Sequence, residues 1–200
     1  MVEHNAARAA ETDAVILVGG QGTRLRPLTV STPKPMLPTA GHPFLSHLLA
    51  RIAAAGMKHV VLGTSYKAEV FEEYFGDGSE LGLEIEYVVE EEALGTGGAI
   101  RNVYDKLRYN TAMVFNGDVL SGADLGAILN THAEGDADVT LHLVRVPDPR
   151  AFGSVPTDAD GRVLAFLEKT EDPPTDQINA GCYVFKRSVI ADIPAGRVVS

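Results

Sequence analysis

Residues 13–27 have the sequence DAVILVGGQGTRLRP, in which a short apolar run leads directly into a glycine-rich turn that carries two arginines. The run at 13–18 has the length and composition of a strand that is buried on both faces, as in a parallel sheet. The glycines Gly19, Gly20 and Gly22 allow close backbone approach, so that successive N–H groups can converge on phosphate oxygens. We therefore predict a buried strand that ends at an anion-binding turn.

The glycine turn differs from two better-known phosphate-binding motifs. No Gly-Lys-Ser/Thr follows it, which excludes a Walker A loop. Leu25 occupies the place where the dinucleotide fingerprint needs a third glycine, which argues against a Rossmann oxidoreductase. The two arginines still favour a phosphate ligand over a simple turn at the end of a strand.

A basic segment without any acidic residue surrounds the turn. Residues 14–68 contain no aspartate or glutamate, although the net charge of the chain is −10. Arg24 and Arg26 lie in the turn, and Lys34 follows between two prolines that hold its backbone extended. These three cations are predicted to form an anion site, in which Lys34 meets one phosphate. The acidic net charge argues against nucleic acid as a partner.

Length and composition are those of one globular domain. The chain has 200 residues, of which 45% are apolar, and no stretch approaches the apolar run that spans a bilayer. Its single cysteine, Cys182, can form no intrachain disulfide, and the six histidines lack metal-ligand spacing. Residues 1–12 have no apolar centre like that of a signal peptide and are predicted to be a flexible tail, so that we expect a cytoplasmic protein.

Strand and helix patterns alternate along residues 13–146, which predicts an α/β fold. The expected architecture is Rossmann-like, a mostly parallel sheet with helices on both faces. The predicted strands are 13–18, 58–63, 83–89, 111–115 and 139–146, and the predicted helices are 43–56, 68–75, 98–107 and 121–132. Beyond residue 147, short apolar segments between turn residues predict a small antiparallel addition at one edge of the sheet, with strands at 153–157, 162–168 and 181–186.

The glycine turn and the lysine segment together, GG-x-GTRLRPLT followed by PKPMLP, resemble the sugar-1-phosphate nucleotidyltransferases, also called nucleotide-sugar pyrophosphorylases. Within that family the sequence is similar to the mannose-1-phosphate guanylyltransferases. The resemblance extends over residues 15–193 and implies the nucleotide-diphospho-sugar transferase type of fold. It also implies that Arg24 contacts the leaving pyrophosphate and Lys34 the reacting phosphate. The other nucleotide-binding residues expected in this part of the chain are Leu17, Gly19, Gly20, Gly22 and Thr23.

The segment EEEALGTGG at residues 90–98 lies between a predicted strand and a predicted helix. Members of the resembled family place a side chain that recognises the base five residues before the glycine equivalent to Gly95, typically glutamine in enzymes that use UTP or dTTP. Glu90 occupies that position here. A carboxylate only accepts hydrogen bonds, which suits the N1–H and amino group of guanine. Glu90, Gly95 and Thr96 are therefore expected to bind the nucleotide and to favour GTP.

The tripeptide Asn116-Gly117-Asp118 follows a predicted parallel strand and precedes a predicted helix. Asp118 is thereby expected at the carboxyl end of the sheet, where open α/β sheets bind ligands. In the resembled family this aspartate binds Mg²⁺, a hard cation that prefers carboxylate and phosphate oxygens. The resemblance thus implies Asp118 as a catalytic residue and metal ligand.

A sugar-phosphate site is implied by the resemblance alone. Glu168 and Asn179 would form hydrogen bonds with sugar hydroxyls, and Lys169 would contact the phosphate of the sugar. The full set of residues expected at that site is Asn116, Gly117, Gly153, Glu168, Lys169, Asn179 and Gly181.

Catalytic domains of the resembled family continue beyond the equivalent of residue 200 and supply a second metal-binding aspartate from a later segment. Asp192 is not a convincing substitute, because it lies in a short helical stretch after the last predicted strand. We therefore expect a catalytic domain over residues 13–200 that is incomplete at its C-terminus, with a metal site that is only half built.

The expected reaction transfers a nucleotidyl group from an NTP, with GTP favoured, to a sugar-1-phosphate, with mannose-1-phosphate favoured. One alternative is a glucose-1-phosphate uridylyl- or thymidylyltransferase, against which Glu90 argues. Another is a non-catalytic nucleotide-sugar-binding regulatory subunit, against which the presence of Arg24, Lys34 and Asp118 argues. The expected partners are the two substrates, with neither nucleic acid nor membrane, and assembly into a homo-oligomer stays open.

Overall fold

A six-stranded mixed sheet forms the centre of the fold. The computed structural model describes residues 2–20, 22–65, 67–167 and 169–199, with side chains from residue 6 onward. The strands are β1 Thr12–Leu17, β2 Pro38–Thr39, β3 His42–Pro43, β4 His59–Thr64, β5 Glu84–Val89, β6 Thr111–Asn116, β7 Val139–Arg145 and β8 Gln177–Lys186. The helices are α1 Val2–Ala10, α2 Phe44–Ala54, α3 Ala68–Phe75, α4 Gly95–Asn102, α5 Leu125–Glu134 and α6 Arg187–Asp192.

The strand order in the sheet is β5-β4-β1-β6-β8-β7, and β2 and β3 form a separate two-stranded antiparallel sheet. Strand β1 pairs in parallel with β4 and with β6, and β4 pairs in parallel with β5. Strand β8 is antiparallel to both of its neighbours, β6 and β7. The predicted fold class, a mostly parallel α/β sheet with a small antiparallel part, is confirmed.

Helices cover both faces of the sheet because successive side chains of a strand point to opposite faces. On one face, Ala14 and Ile16 of β1 belong to a core cluster with residues of α1, α2, α3 and α5. On the other face, Val15 packs in a second cluster with Ile100 of α4 and Ile190 of α6. The buried apolar run that opened the sequence is therefore apolar throughout because both of its faces are covered. No helix in the described part of the chain is both long enough and apolar enough to cross a membrane.

The antiparallel part of the sheet differs from the prediction. The predicted strand 181–186 is longer, Gln177–Lys186, and lies inside the sheet between β6 and β7 instead of at its edge. The segments predicted as strands at 153–157 and 162–168 form isolated bridges, such as Ser154 with Leu167. Since β8 occupies the position beside β6, the predicted fifth strand, β7, pairs antiparallel with β8 and not in parallel with β6.

The prediction of a flexible tail over residues 1–12 is wrong for most of that segment. Residues Val2–Ala10 form helix α1, and β1 already begins at Thr12. Ala9 is fully buried in the core, and the guanidinium of Arg8 donates a hydrogen bond of 2.6 Å to the side chain of Asn130 in α5. These tertiary contacts stabilise a helix that is too short to be stable by itself. The start of helix α5 also differs from the prediction, because the helix begins at Leu125, with Asp124 as its N-cap, instead of at residue 121.

A buried polar cluster joins the amino ends of the central strands. Asp13 is fully buried at the start of β1, and its Oδ1 accepts a hydrogen bond of 2.6 Å from Nδ1 of His59 at the start of β4. Its Oδ2 accepts from the backbone amides of Arg108 and Tyr109, each at 2.9 Å. The single carboxylate therefore satisfies three donors at the end of the sheet that lies away from the glycine turn.

Replacement of Asp13 by alanine should lower the free energy of unfolding by about 3 kcal/mol, because it leaves these buried donors without an acceptor. Urea denaturation followed by circular dichroism measures the change. The matched control is Asp148→Ala, which removes an exposed carboxylate paired with Arg150 and should leave stability essentially unchanged. An Asp13→Ala protein as stable as this control would contradict the role assigned to the cluster.

Candidate active site

A cleft of about 450 Å³ opens at the carboxyl ends of β1, β4, β5 and β6. Parallel strands carry their ligand sites at this edge, since the loops that follow them converge there. Most of the residues predicted to bind the nucleotide line the cleft, and these are Leu17, Gly19, Gly20, Gly22, Arg24, Lys34, Glu90, Gly95, Thr96 and Asp118. Thr23 lies beside them at the start of a short 3₁₀ helix, and Gln21 of the predicted motif lies outside the described residues.

The glycine turn is folded back on itself by a buried hydroxyl. Gly22 has a φ of 59°, in the left-handed region, and the hydroxyl of Thr29 donates a hydrogen bond of 2.8 Å to its carbonyl oxygen. A Cβ at Gly22 would lie 3.0 Å from Cγ2 of Thr29 and 3.1 Å from Cβ of Lys34. Glycine is thus required at position 22 by both conformation and space. Arg24 and Lys34 both line the cleft, whereas Arg26, the third cation predicted for the anion site, does not.

Ser65 is a neighbour of the glycine turn that sequence reasoning missed. It follows β4, and its hydroxyl donates a hydrogen bond of 2.5 Å to the carbonyl oxygen of Gly19. Nothing in its local sequence marks it, apart from its position just after a buried strand. Gly63 in the same strand lines the cleft, and its carbonyl accepts from the amide of Val18 at 2.9 Å. The end of β4 therefore supports the turn that follows β1.

Lys34 and Asp118 form an ion pair at the mouth of the cleft, with 2.7 Å between Nζ and Oδ2. The backbone of Lys34 is not extended as predicted, because the residue begins a short 3₁₀ helix, Lys34–Met36. Its neighbours Pro33 and Pro35 are both buried, which holds the lysine in place. The two side chains are about one-third and two-fifths exposed, so that the pair contributes little to stability. The structure thus brings together two residues that are 84 positions apart in the chain and that sequence analysis predicted as catalytic.

Asp118 reaches this position because β6 ends very close to β1. The amide of Gly117 donates a hydrogen bond of 2.9 Å to the carbonyl of Leu17, and a Cβ at Gly117 would collide with the side chain of Val18. Gly117 itself is buried, whereas Asn116 lines the cleft. Glycine at position 117 therefore permits the close approach that places the next residue, Asp118, beside Lys34.

Glu90 lines the cleft and has one buried carboxylate oxygen without a described hydrogen-bond partner. Its backbone amide donates to the carbonyl of Thr64 at 2.7 Å, which extends the β4–β5 pairing to the end of β5. Its carboxylate accepts from the backbone amide of Leu94, yet Oε1 is buried without a hydrogen-bond partner in the described part of the chain. Burial raises the pKa of Glu90 above its ordinary value, and the hydrogen bond from Leu94 partly opposes this shift. A buried acceptor without a partner favours a ligand that supplies a donor.

The structure brings only some of the residues predicted to bind the sugar phosphate to the cleft. Gly181 has a φ of 69° and packs on Asn116, since a Cβ there would lie 2.9 Å from Nδ2 of that asparagine. The side chain of Asn179 is used within β8, where Oδ1 accepts from the amide of Gly181 and Nδ2 donates to the hydroxyl of Tyr183. Gly153 and the exposed Lys169 do not line the cleft. Glu168 lies outside the described residues.

A smaller cavity of about 160 Å³ adjoins the main cleft at the ion pair. It shares Leu25, Lys34 and Asp118 with the main cleft, and adds Leu37, Thr39 and Phe44. Sequence reasoning assigned no ligand-binding role to these three residues. Leu25, which occupies the place of the third glycine in a dinucleotide fingerprint, lines both cavities.

Asp118 is a lone candidate metal ligand. Among the residues that the structure describes, no group of three or more histidine, cysteine, aspartate or glutamate side chains could hold a metal ion. Mg²⁺ is commonly bound through one or two carboxylates together with substrate phosphates and water, and a preformed protein cage is not required. An exposed carboxylate beside the glycine turn has the chemistry to hold a Mg²⁺ ion together with a phosphate ligand.

The fold, the glycine turn and the cleft agree with the family predicted from the sequence. Residues 13–198 match the family described as Nucleotidyl transferase, and the chain belongs to this family. The family predicted from the glycine turn and the lysine segment is thereby confirmed.

Individual relatives and solved structures show which members of the family the chain is similar to. The chain is 74% identical over 190 residues to a mannose-1-phosphate guanylyltransferase from Mycobacterium tuberculosis, and the match covers 95% of this chain but 53% of that protein. It is 38% identical over 177 residues to a D-glycero-alpha-D-manno-heptose 1-phosphate guanylyltransferase from Aneurinibacillus thermoaerophilus. That match covers 88% of this chain and 76% of the relative. The crystal structure of HddC from Yersinia pseudotuberculosis complexed with GMP-PN has a TM-score of 0.80 and 32% identity, and the match covers 92% of this chain and 81% of that one. The chain thus spans about half the length of its mycobacterial relative.

Replacement of Gly117 by alanine should lower stability by about 2 kcal/mol, because the added methyl group would overpack the junction of β1 and β6. The matched control is Gly122→Ala in the same connection, where a Cβ meets no described atom within 4 Å. Chemical denaturation of both variants measures the difference. Equal stability of the two proteins would contradict the close approach inferred at Gly117.

Proposed function

We propose that the protein transfers the guanylyl group of GTP to a sugar-1-phosphate, mannose-1-phosphate being favoured, and releases pyrophosphate. The observation that carries the proposal is Glu90, which lines the same cleft as Lys34 and Asp118 and whose buried Oε1 has no hydrogen-bond partner among the described residues. The N1–H and amino group of guanine are adjacent donors that a carboxylate can accept, whereas the pyrimidines of UTP and dTTP present an acceptor next to their N3–H. Two relatives whose names contain guanylyltransferase support the same choice of base.

The attacking group in this reaction is a phosphate oxygen of the sugar-1-phosphate. A phosphate monoester is already largely anionic near neutral pH, since its second pKa is about 6, so that no general base is needed. The new bond forms between this oxygen and the α-phosphorus of GTP, while the bond from that phosphorus to the bridging oxygen of the β-phosphate breaks. Pyrophosphate leaves with the electron pair.

The main barrier is repulsion between two polyanions, and the cleft residues are placed to reduce it. Arg24 and the amides of the glycine turn would hold the phosphates that leave, and Lys34 would neutralise the reacting phosphate. Asp118 would bind a Mg²⁺ ion, which supplies charge neutralisation to the phosphates. For both residues to act, their 2.7 Å ion pair must open when the substrates bind.

The sugar-phosphate side is proposed on the predicted residues. Asn116 lines the cleft and Gly181 packs directly on it, which supports a sugar site continuous with the nucleotide site. Gly153, Glu168, Lys169 and Asn179 are proposed to complete that site when the sugar phosphate is bound. The protein is further proposed to act in the cytoplasm, where both small-molecule substrates would be available.

The experiment that tests the proposal supplies the full-length protein with Mg²⁺, mannose-1-phosphate and each of GTP, ATP, UTP and dTTP, and measures release of pyrophosphate. Release is expected with GTP. Release with UTP or dTTP but not with GTP would refute the role given to Glu90. Replacing mannose-1-phosphate by glucose-1-phosphate or a manno-heptose 1-phosphate determines the sugar.

Replacement of Lys34 by alanine should reduce kcat at least about a hundredfold, because a charge that stabilises the reacting phosphate is lost. Steady-state kinetics measure this, and circular dichroism verifies that the fold persists. Lys58→Ala, which removes an exposed lysine at the opposite end of the sheet, serves as the control and should leave kcat unchanged. A Lys34→Ala enzyme with near-normal turnover would contradict the proposed mechanism.

The KM for GTP should rise as the pH falls, and the rise should begin at a higher pH than an ordinary glutamate would produce. Burial raises the pKa of Glu90, so that acidification protonates it early, and the protonated carboxyl accepts poorly from guanine. Measurement of KM against pH for the parent and for Glu90→Gln isolates this effect, because titration of the substrates is common to both. The same acid dependence in both proteins would argue against Glu90 as the group responsible.

A further inference from the structure

Residues 197–199 lie against the first turn of α4 and form backbone hydrogen bonds with it. The carbonyl oxygen of Val199 accepts hydrogen bonds from the amides of Gly97, at 2.8 Å, and Gly98, at 3.2 Å. The amide of Val199 donates a hydrogen bond of 2.8 Å to the carbonyl of Leu94. This segment, which follows α6 in sequence, thereby satisfies amides at a helix N-terminus that would otherwise need a cap or an anion.

The glycines of the α4 turn provide the space for this contact. A Cβ at Gly95 would lie 2.6 Å from the carbonyl oxygen of Val199, and a Cβ at Gly98 would lie 2.6 Å from that of Arg197. At Gly97 the added atom would come within 2.9 Å of Cγ1 of Val199. Real Cβ atoms do not approach backbone oxygens this closely, so the glycines are explained by the packed segment. Phosphate binding is not needed to account for them.

Backbone hydrogen bonds of Leu94 connect residues 197–199 to Glu90. The carbonyl of Leu94 accepts from Val199, while the amide of Leu94 donates to the carboxylate of Glu90. One part of that carboxylate is thus tied to the loop, and its other oxygen, Oε1, is left buried without a described partner. The orientation of Glu90 therefore depends on where Leu94 is held.

We propose that residues 197–199 are a positioning segment for nucleobase recognition, which fixes Leu94 and the first turn of α4 and thereby directs the carboxylate of Glu90 toward the base. The inference rests on the proposed function for the identity of the base. The segment contributes no side chain to the cleft and acts through two backbone groups of Val199.

The test compares Val199→Pro with Val199→Ala in the full-length protein. Proline removes the N–H that donates to Leu94, whereas alanine keeps both backbone groups and only shortens the side chain. Discrimination is measured as the ratio of kcat/KM for GTP to that for ITP, which lacks the amino group of guanine. Val199→Pro should lower this ratio about fivefold, as expected for a misaligned hydrogen bond, and Val199→Ala should leave it within about twofold of the parent.

A Glu90→Gln background separates positioning from a general structural effect. If the segment acts through Glu90, adding Val199→Pro to Glu90→Gln should not change the discrimination ratio further. An equal fivefold fall in both backgrounds would overturn the proposal. So would an unchanged ratio for Val199→Pro in the parent background.

Hydrogen exchange of residues 90–98 provides a readout that needs no turnover. Val199→Pro should speed exchange of these amides relative to Val199→Ala, and equal exchange in the two variants would overturn the proposal. Absence of turnover with GTP in the parent would defeat the proposed function, while the exchange comparison would still decide whether the segment holds the loop. Should Val199→Pro fail to fold, Gly97→Ala displaces the same segment, because its added Cβ would lie 2.9 Å from Cγ1 of Val199; Gly122→Ala is its control.

Discussion

The parallel pairing of β1 between β4 and β6 is the constraint on which the rest of the site depends. Its register places Leu17 opposite Gly63 on one side and opposite Asn116 on the other, so that three strands end at the same level. The loops that follow these strands can then meet around one cleft. A slip of one residue would turn each side chain of β1 to the opposite face, and would separate the glycine turn from the loop that carries Asp118.

Around this edge, Arg24 and Lys34 give a positive lining to a cleft in an otherwise acidic protein, which favours an anionic ligand. The ion pair of Lys34 with Asp118 neutralises part of that positive charge. Polyphosphate with a divalent cation can replace both halves of that pair, since the lysine then meets phosphate and the carboxylate meets metal. Glu90 stands apart from this ion pair. Burial raises the pKa of its carboxylate, and its Oε1 has no described hydrogen-bond partner.

Sequence patterns gave the right fold class because the relevant signals are local. The apolar run at 13–18, the glycines after it and the alternation of strands and helices each follow from neighbouring residues. The same is true of Glu90, whose place just after a predicted strand put it at the correct edge of the sheet. The local signal misled at two places, since the first dozen residues form a helix and β8 lies inside the sheet. Both outcomes depend on contacts with residues distant in sequence.

What the sequence by itself determined was the buried strand, the glycine turn that follows it and the family, since backbone conformation and burial patterns are encoded residue by residue. Only the tertiary structure decided that Lys34 lies 2.7 Å from Asp118, that Ser65 supports Gly19, and that residues 197–199 occupy the glycines of α4. Each of these contacts joins segments that are 46 or more positions apart. Such contacts arise from the register of the sheet and the packing of its loops, which no local pattern of residues specifies.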